Sequence, residues 1–132
     1  MKNVFKLGDI KQFKKKVFPS DIAQFNAGIV HPVYATFALT RDAEWCGRLF
    51  VLEMKENDEE GIGTFVHVMH HSPAFVGEDI EFTATISELN KNELVCNFEA
   101  KVDKRLIATG KTGQKIIKKE KLDLLFRSIR NN

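Results

Sequence analysis

Residues 31–54, HPVYATFALTRDAEWCGRLFVLEM, constrain this chain more than any other stretch. They read as one long, mostly apolar helix, reached through a proline and an extended Tyr34-Ala35-Thr36 segment. At about 3.6 residues per turn, Ala38, Leu39, Trp45, Cys46, Leu49, Phe50 and Leu52 spread well beyond the roughly 100° stripe of an ordinary surface helix. A helix of that kind needs cover on several sides, which a curved sheet wrapped around it supplies. One acid, Glu44, stands deep within the apolar run.

Residues 62–117 contain the strands for such a sheet, because the hydrophobic period changes there from 3.6 to 2. In IGTFVHVMHH, alternation puts Ile62, Thr64, Val66, Val68 and His70 on one face, with Phe65, His67, Met69 and His71 on the other. Residues 80–86 and 93–102 alternate in the same way around an Asn90-Lys91-Asn92 turn, and Asp103-Lys104 turns the chain into a last strand over 106–117. Gly110 and Gly113 in that strand mark bulges or close backbone approach. Upstream, Phe13–Phe18 is a Lys-rich edge strand, and Ser20-Asp21 caps a short helical turn through Gln24 and Phe25. The tail after 117 spaces Leu122, Leu124, Leu125 and Ile129 as a short amphipathic helix or docking segment. Short connections among the last four strands predict an antiparallel meander, hence an α+β fold with one long central helix held by a curved antiparallel sheet.

The 132 residues, 43% hydrophobic and 29% charged, suit one domain spanning 1–132 with a core that needs no metal or disulfide staple. A formal charge of +2 without a basic cluster argues against nucleic acid as a partner. Cys46 and Cys96 lack any C-x-x-C spacing and read as buried reduced thiols, which favours a cytoplasmic protein. No signal-peptide core is visible, nor any segment near the roughly 20 apolar residues of a membrane span, so no membrane association is expected.

Three residues carry chemistry, each with a structural alternative. Glu44 is costly to bury unless paired, with Arg41 or Arg48 one turn away, or poised for acid–base work. His70 is either a packed strand histidine or a proton-handling group. Zinc is not expected, because His67 and His71 share a face that offers no third ligand. Thr36 at the helix start is a capping residue, a catalytic one, or both, since free N–H groups there can polarise a carbonyl oxygen. Eight helical residues separate Thr36 from Glu44 by about 12 Å. If both touch one substrate, Thr36 folds back or comes from another subunit.

The order of elements resembles the hotdog fold. The residues Ala35-Thr36, Glu44-Trp45 and Gly63-Thr64-x-Val66-x-Val68-x-His70, followed by Pro73 and Gly77, resemble the fluoroacetyl-CoA thioesterase-like group over about Phe13 to Leu122. The resemblance implies hydrolysis of a short-chain acyl-CoA, with Thr36, Glu44 and His70 as the catalytic set. It further implies a homodimer or higher oligomer with active sites between subunits. Val30, Tyr34, Gly63, Lys104 and Arg105 are the expected substrate-binding residues, and Lys101, Lys111 and Lys115 are further candidates for the coenzyme A phosphates. No cofactor is expected, coenzyme A arriving as part of the substrate. The family pattern has a lid Phe six positions before the Thr where this chain has Val30. Whether Glu44 attacks the thioester or activates water stays open, and a non-catalytic acyl-CoA sensor is the alternative function.

Overall fold

The computed structural model describes residues 1–132. Its centre is α1, Thr36–Met54, and its frame is a five-stranded antiparallel sheet of β1 (Ile10–Lys16), β4 (Glu59–His70), β5 (Asp79–Asn90), β6 (Glu93–Val102) and β7 (Arg105–Lys118) in the order β1-β5-β6-β7-β4. A separate hairpin, β2 (Ile22–Phe25) and β3 (Gly28–Tyr34), leads into α1, and α2 (Lys119–Arg130) closes the chain.

α1 packs against all five strands of the large sheet. Ala38, Leu39, Ala43, Cys46, Phe50 and Val51 from the helix interlock with Ile80, Phe82, Ala84, Ile86, Cys96, Phe98 and Ala100 from the sheet. The close fit depends on Gly47, where a Cβ would stand 2.7 Å from Thr112 Oγ1. Both cysteines are free and buried, and burial pushes the thiol of Cys46 up to about 11 and that of Cys96 up to about 12.

Several local expectations change. The apolar girth of α1 is narrower than its sequence suggests, because Trp45 and Leu52 are 41% and 43% exposed. The segment before the helix is a hairpin. A single 3-10 turn, Pro19–Asp21, precedes β2, because the Asp21 carboxylate folds back to accept the Phe18 N–H at 2.9 Å rather than capping a helix ahead of it. His31 and Pro32 therefore lie on β3, where a two-stranded ribbon tolerates a missing donor. Ala35, extended at φ −76° and ψ 149°, is the N-cap residue and brings no side-chain cap.

β4 begins earlier than the periodicity suggests and takes in Glu59-Glu60-Gly61, since these pair with Lys118, Ile117 and Ile116 of β7. Its bulge lies between Gly63 and Phe65, opposite Gly113. That extra residue reverses the alternation, so Gly61 and Gly63 face α1 together with Val68 and His70 while Ile62 turns away. α2 is helical as expected, but none of its residues is buried. No helix is long and apolar enough to cross a membrane.

Candidate active site

Thr36 is the first helical residue of α1, and its side chain does not cap the helix. Its Oγ1 lies 3.2 Å from Nδ1 of His70, the last residue of β4. The hydroxyl donates when Nδ1 is bare, and the proton then sits on Nε2. Nε2 is buried with no partner, a cost of about 1–3 kcal/mol for an unsatisfied polar group unless another molecule meets it. Burial holds the imidazole below its usual 6.5, and an opposing interaction with the Ser72 backbone recovers only part of that. The ring is thus neutral near pH 7. Beside it, no side chain caps the start of α1 and no acid stands in the first turn, so the leading backbone N–H groups are free to bind an anionic oxygen.

Glu44 stands elsewhere. Its carboxylate lies over Gly63, where a Cβ would fall 2.3 Å from Oε1, so glycine is what admits the acid to this position. The ion pairs weighed for it do not form: Arg41 binds Asp21 and Asp42, and Arg48 binds Glu60 and the Gly61 carbonyl. The carboxylate makes no hydrogen bond or ion pair within the protomer, whereas its backbone carbonyl accepts from Gln114 Nε2 at 3.4 Å. Within one chain, Thr36 and His70 meet, while Glu44 is about 12 Å away along the helix and Gly63 is about 20 Å from His70 along the strand.

The remaining expected residues divide. Val30, on β3, is exposed, as are Ile29, Phe25 and Phe37, the last two forming an edge-to-face pair whose ring centroids are 6.0 Å apart. Lys104 is exposed in the β6–β7 turn, and Arg105 pairs with Glu78 at 2.5 Å with its guanidinium over Phe75. Both lie at the end of the sheet that carries His70, because His70 pairs with Ala108. Lys101 and Lys115 are engaged with Glu99 and Glu93. Tyr34 corrects its expectation: it is 1% exposed, and its hydroxyl donates to Asp42 Oδ2 at 2.5 Å, so it belongs to the core rather than to a ligand surface. The sequence marks Asp21 only as a cap and gives no sign of the buried Asp42 beyond its adjacency to Arg41 on a helix.

The largest concavity, about 560 Å³, lies on the far face of the sheet among His67, Met69, His71, Asn97, Glu99 and Lys111, away from the Thr36–His70 pair. There His71 Nε2 is 2.8 Å from Thr109 Oγ1, and no three potential metal ligands cluster anywhere in the chain.

The sequence model described as "FlK: Fluoroacetyl-CoA-specific thioesterase" matches residues 17–120. The chain belongs to this family. As a fluoroacetyl-CoA thioesterase family member it is a thioester hydrolase acting on acyl-CoA, as the resemblance implied. A Thermus thermophilus hypothetical protein described as a thioesterase superfamily member shares 32% identity and superposes with a TM-score of 0.92, over 98% of this chain and 96% of that one. The fluoroacetyl-CoA thioesterase FlK is 20% identical with a TM-score of 0.86, covering 96% of this chain and 98% of that one. A hot-dog-like protein from Thermanaerovibrio acidaminovorans is 22% identical with a TM-score of 0.82, covering 96% and 92%. The fold is therefore the hotdog fold. No curated protein matches the sequence.

Proposed function

We propose that this thioesterase hydrolyses short-chain acyl-CoA in a homodimer whose active sites each combine Thr36 and His70 of one copy with Glu44 of the other. The carrying observation is the contact of Thr36 Oγ1 with His70 Nδ1 beside an uncapped helix start, with an unpaired Glu44 too distant to join it in the same chain. β4 is a sheet edge, so two copies of it can pair antiparallel. A two-fold axis near Val66 and His67 would set Gly63, and the carboxylate above it, opposite His70 of the other copy.

In the proposed reaction, the Thr36 hydroxyl and the free N–H groups of α1 hold the thioester oxygen as negative charge develops there. Glu44 either attacks the carbonyl carbon, forming an acyl-Glu44 anhydride that water then cleaves to free acid and regenerated carboxylate, or takes a proton from the water that attacks directly. The C–S bond breaks, His70 assists proton delivery to the departing sulfur, and free acid and CoA leave. Lys104 and Arg105 are the nearest cations for the coenzyme A phosphates, and no further cofactor enters. Reduced buried cysteines favour the cytoplasm.

The acyl end would rest against Phe25, Phe37, Ile29 and Val30. With Val30 in place of a lid ring, discrimination between small acyl groups stays near the 1–3 kcal/mol of one methylene. The test is thiol release over a panel of acyl-CoAs that includes fluoroacetyl-CoA. Turnover of acetyl-CoA and slightly larger acyl groups with less than about a hundredfold preference for fluoroacetyl supports the reading. Binding without turnover of any member would contradict it, and a fluoroacetyl preference of several orders of magnitude would overturn the role given to Val30.

A further inference from the structure

The bend between β3 and α1 sets where Thr36 stands, yet no side chain near the Thr36–His70 pair fixes that bend. The restraint comes from a polar network on the opposite side of α1. Tyr34, two residues before Thr36, sends its hydroxyl 2.5 Å to Asp42, six residues after it, so one bond spans the junction. Arg41 grips both oxygens of Asp42, Nε to Oδ1 at 2.9 Å and Nη2 to Oδ2 at 3.0 Å, and reaches Asp21 Oδ1 at 2.9 Å. Asp21 also receives Lys15 Nζ at 3.1 Å and the Phe18 N–H, and its backbone carbonyl accepts the Ala35 N–H at 2.8 Å. Tyr34 N–H donates in turn to the Ala74 carbonyl at 2.9 Å. Both residues immediately before Thr36 are thus tied through their backbone N–H groups, and Tyr34 through its side chain as well.

We propose that Tyr34, Asp42, Arg41 and Asp21 are positioning residues for the hydrolysis, holding the β3–α1 junction so that the Thr36 hydroxyl meets His70. Asp21 and Asp42 are 2% and 5% exposed, and Tyr34 is 1% exposed. Ionic contacts made to buried carboxylates are poor sources of net stability, and apolar side chains of similar volume often do as well or better. What an apolar replacement lacks is directional restraint, and the bend carries a residue whose hydroxyl works only in the right place. The inference rests on the proposed role of Thr36, because none of the four residues touches the Thr36–His70 pair.

The test is a double-mutant cycle in the full-length protein, with kcat and KM measured on acetyl-CoA. Tyr34→Phe removes one oxygen from a core ring and is expected to lower kcat about tenfold to thirtyfold with KM within about twofold, in keeping with small misplacements at a reacting centre. In a Thr36→Ala background the same substitution is expected to change kcat less than about twofold, since there is no hydroxyl left to position. An equal loss in both backgrounds, or no loss in the native background, overturns the proposal. Arg41→Lys, made on an exposed side chain, repeats the cycle by the same criteria should Tyr34→Phe fail to fold. Full activity of Thr36→Ala alone would instead remove the catalytic role of Thr36, a different failure read from a different variant.

Discussion

The two edges of the main sheet are built in opposite ways. β1 is seven residues long and carries Lys11, Lys14, Lys15 and Lys16, three of them tied to Glu53, Asp21 and Asp79. β4 is twelve residues long, and from Ile62 to His70 it contains no lysine, arginine or carboxylate. Charge on an edge strand discourages pairing with another chain, so β1 reads as a closed edge and β4 as an open one. The open edge is also the one that bears His70 and lies beneath Glu44. Bare backbone is a liability for a soluble chain unless a partner covers it, and on β4 the partner proposed is a second copy that completes the site.

The largest effect expected from breaking this asymmetry is chemical. Glu44→Gln, on the β4 side of α1, is expected to lower kcat by about a thousandfold or more with circular dichroism unchanged, because an amide keeps the shape and loses the base. Glu53→Gln, on the β1 side, where the acid only pairs with Lys11, is expected to stay within about twofold. Retention of most activity by Glu44→Gln would separate the open edge from catalysis.

Giving β4 the character of β1 comes next. Phe65 and Met69 are exposed on this strand, so the pair Phe65→Lys and Met69→Lys need not disturb the core. Sedimentation is expected to show self-association weakened by about a hundredfold, with kcat/KM falling in parallel. An active monomer would contradict a shared site.

Gly63→Ala asks whether the close approach of acid and strand matters. The added methyl must displace the Glu44 carboxylate, and a shift near 1 Å is expected to cost kcat about tenfold to a hundredfold with little change in Tm. Loss of Tm without loss of kcat would make Gly63 a packing residue only.

The smallest effect concerns pH. Burial keeps His70 neutral below the usual histidine range, and protonation would put a hydrogen on Nδ1 where the Thr36 hydroxyl donates. The acid limb of kcat/KM is therefore expected below pH 6.5, with activity falling as pH drops through the lowered value. Tm is expected to decline over the same interval, because the unfolded chain takes up a proton near 6.5 that the folded chain accepts only at lower pH. An acid limb above 6.5 would mean that a different group controls the rate.

Much of this architecture is legible in the amino-acid sequence. The long apolar run marks α1 as the element to be covered, and the period-2 segments predict the meander, with β6 matching its expected bounds of 93–102. Three features are not legible, each for a physical reason. Alternation cannot show a bulge, so the shift at Gly63 that brings this glycine to the same face as His70 is invisible, although it decides where Glu44 can sit. Local propensity favours a turn of helix after Ser20, but the Asp21 carboxylate is drawn into contacts with Phe18, Lys15 and Arg41. Tyr34 looks like a ligand-facing aromatic because its partner, Asp42, lies two helical turns away in sequence. Thr36 and His70 meet as the pattern suggests, but the distance from them to Glu44 is what turns three residues of one chain into a question about two chains.

That question has a direct measurement. Glu44→Gln and His70→Ala proteins, each inactive alone, are mixed, dissociated in mild denaturant and allowed to reassociate at random. If Glu44 of one copy serves Thr36 and His70 of the other, half the dimers are mixed and each holds one intact site, giving about a quarter of native activity per subunit. If Glu44 and His70 act within one chain, every site in every dimer carries a defect, and the mixture stays as inactive as its components.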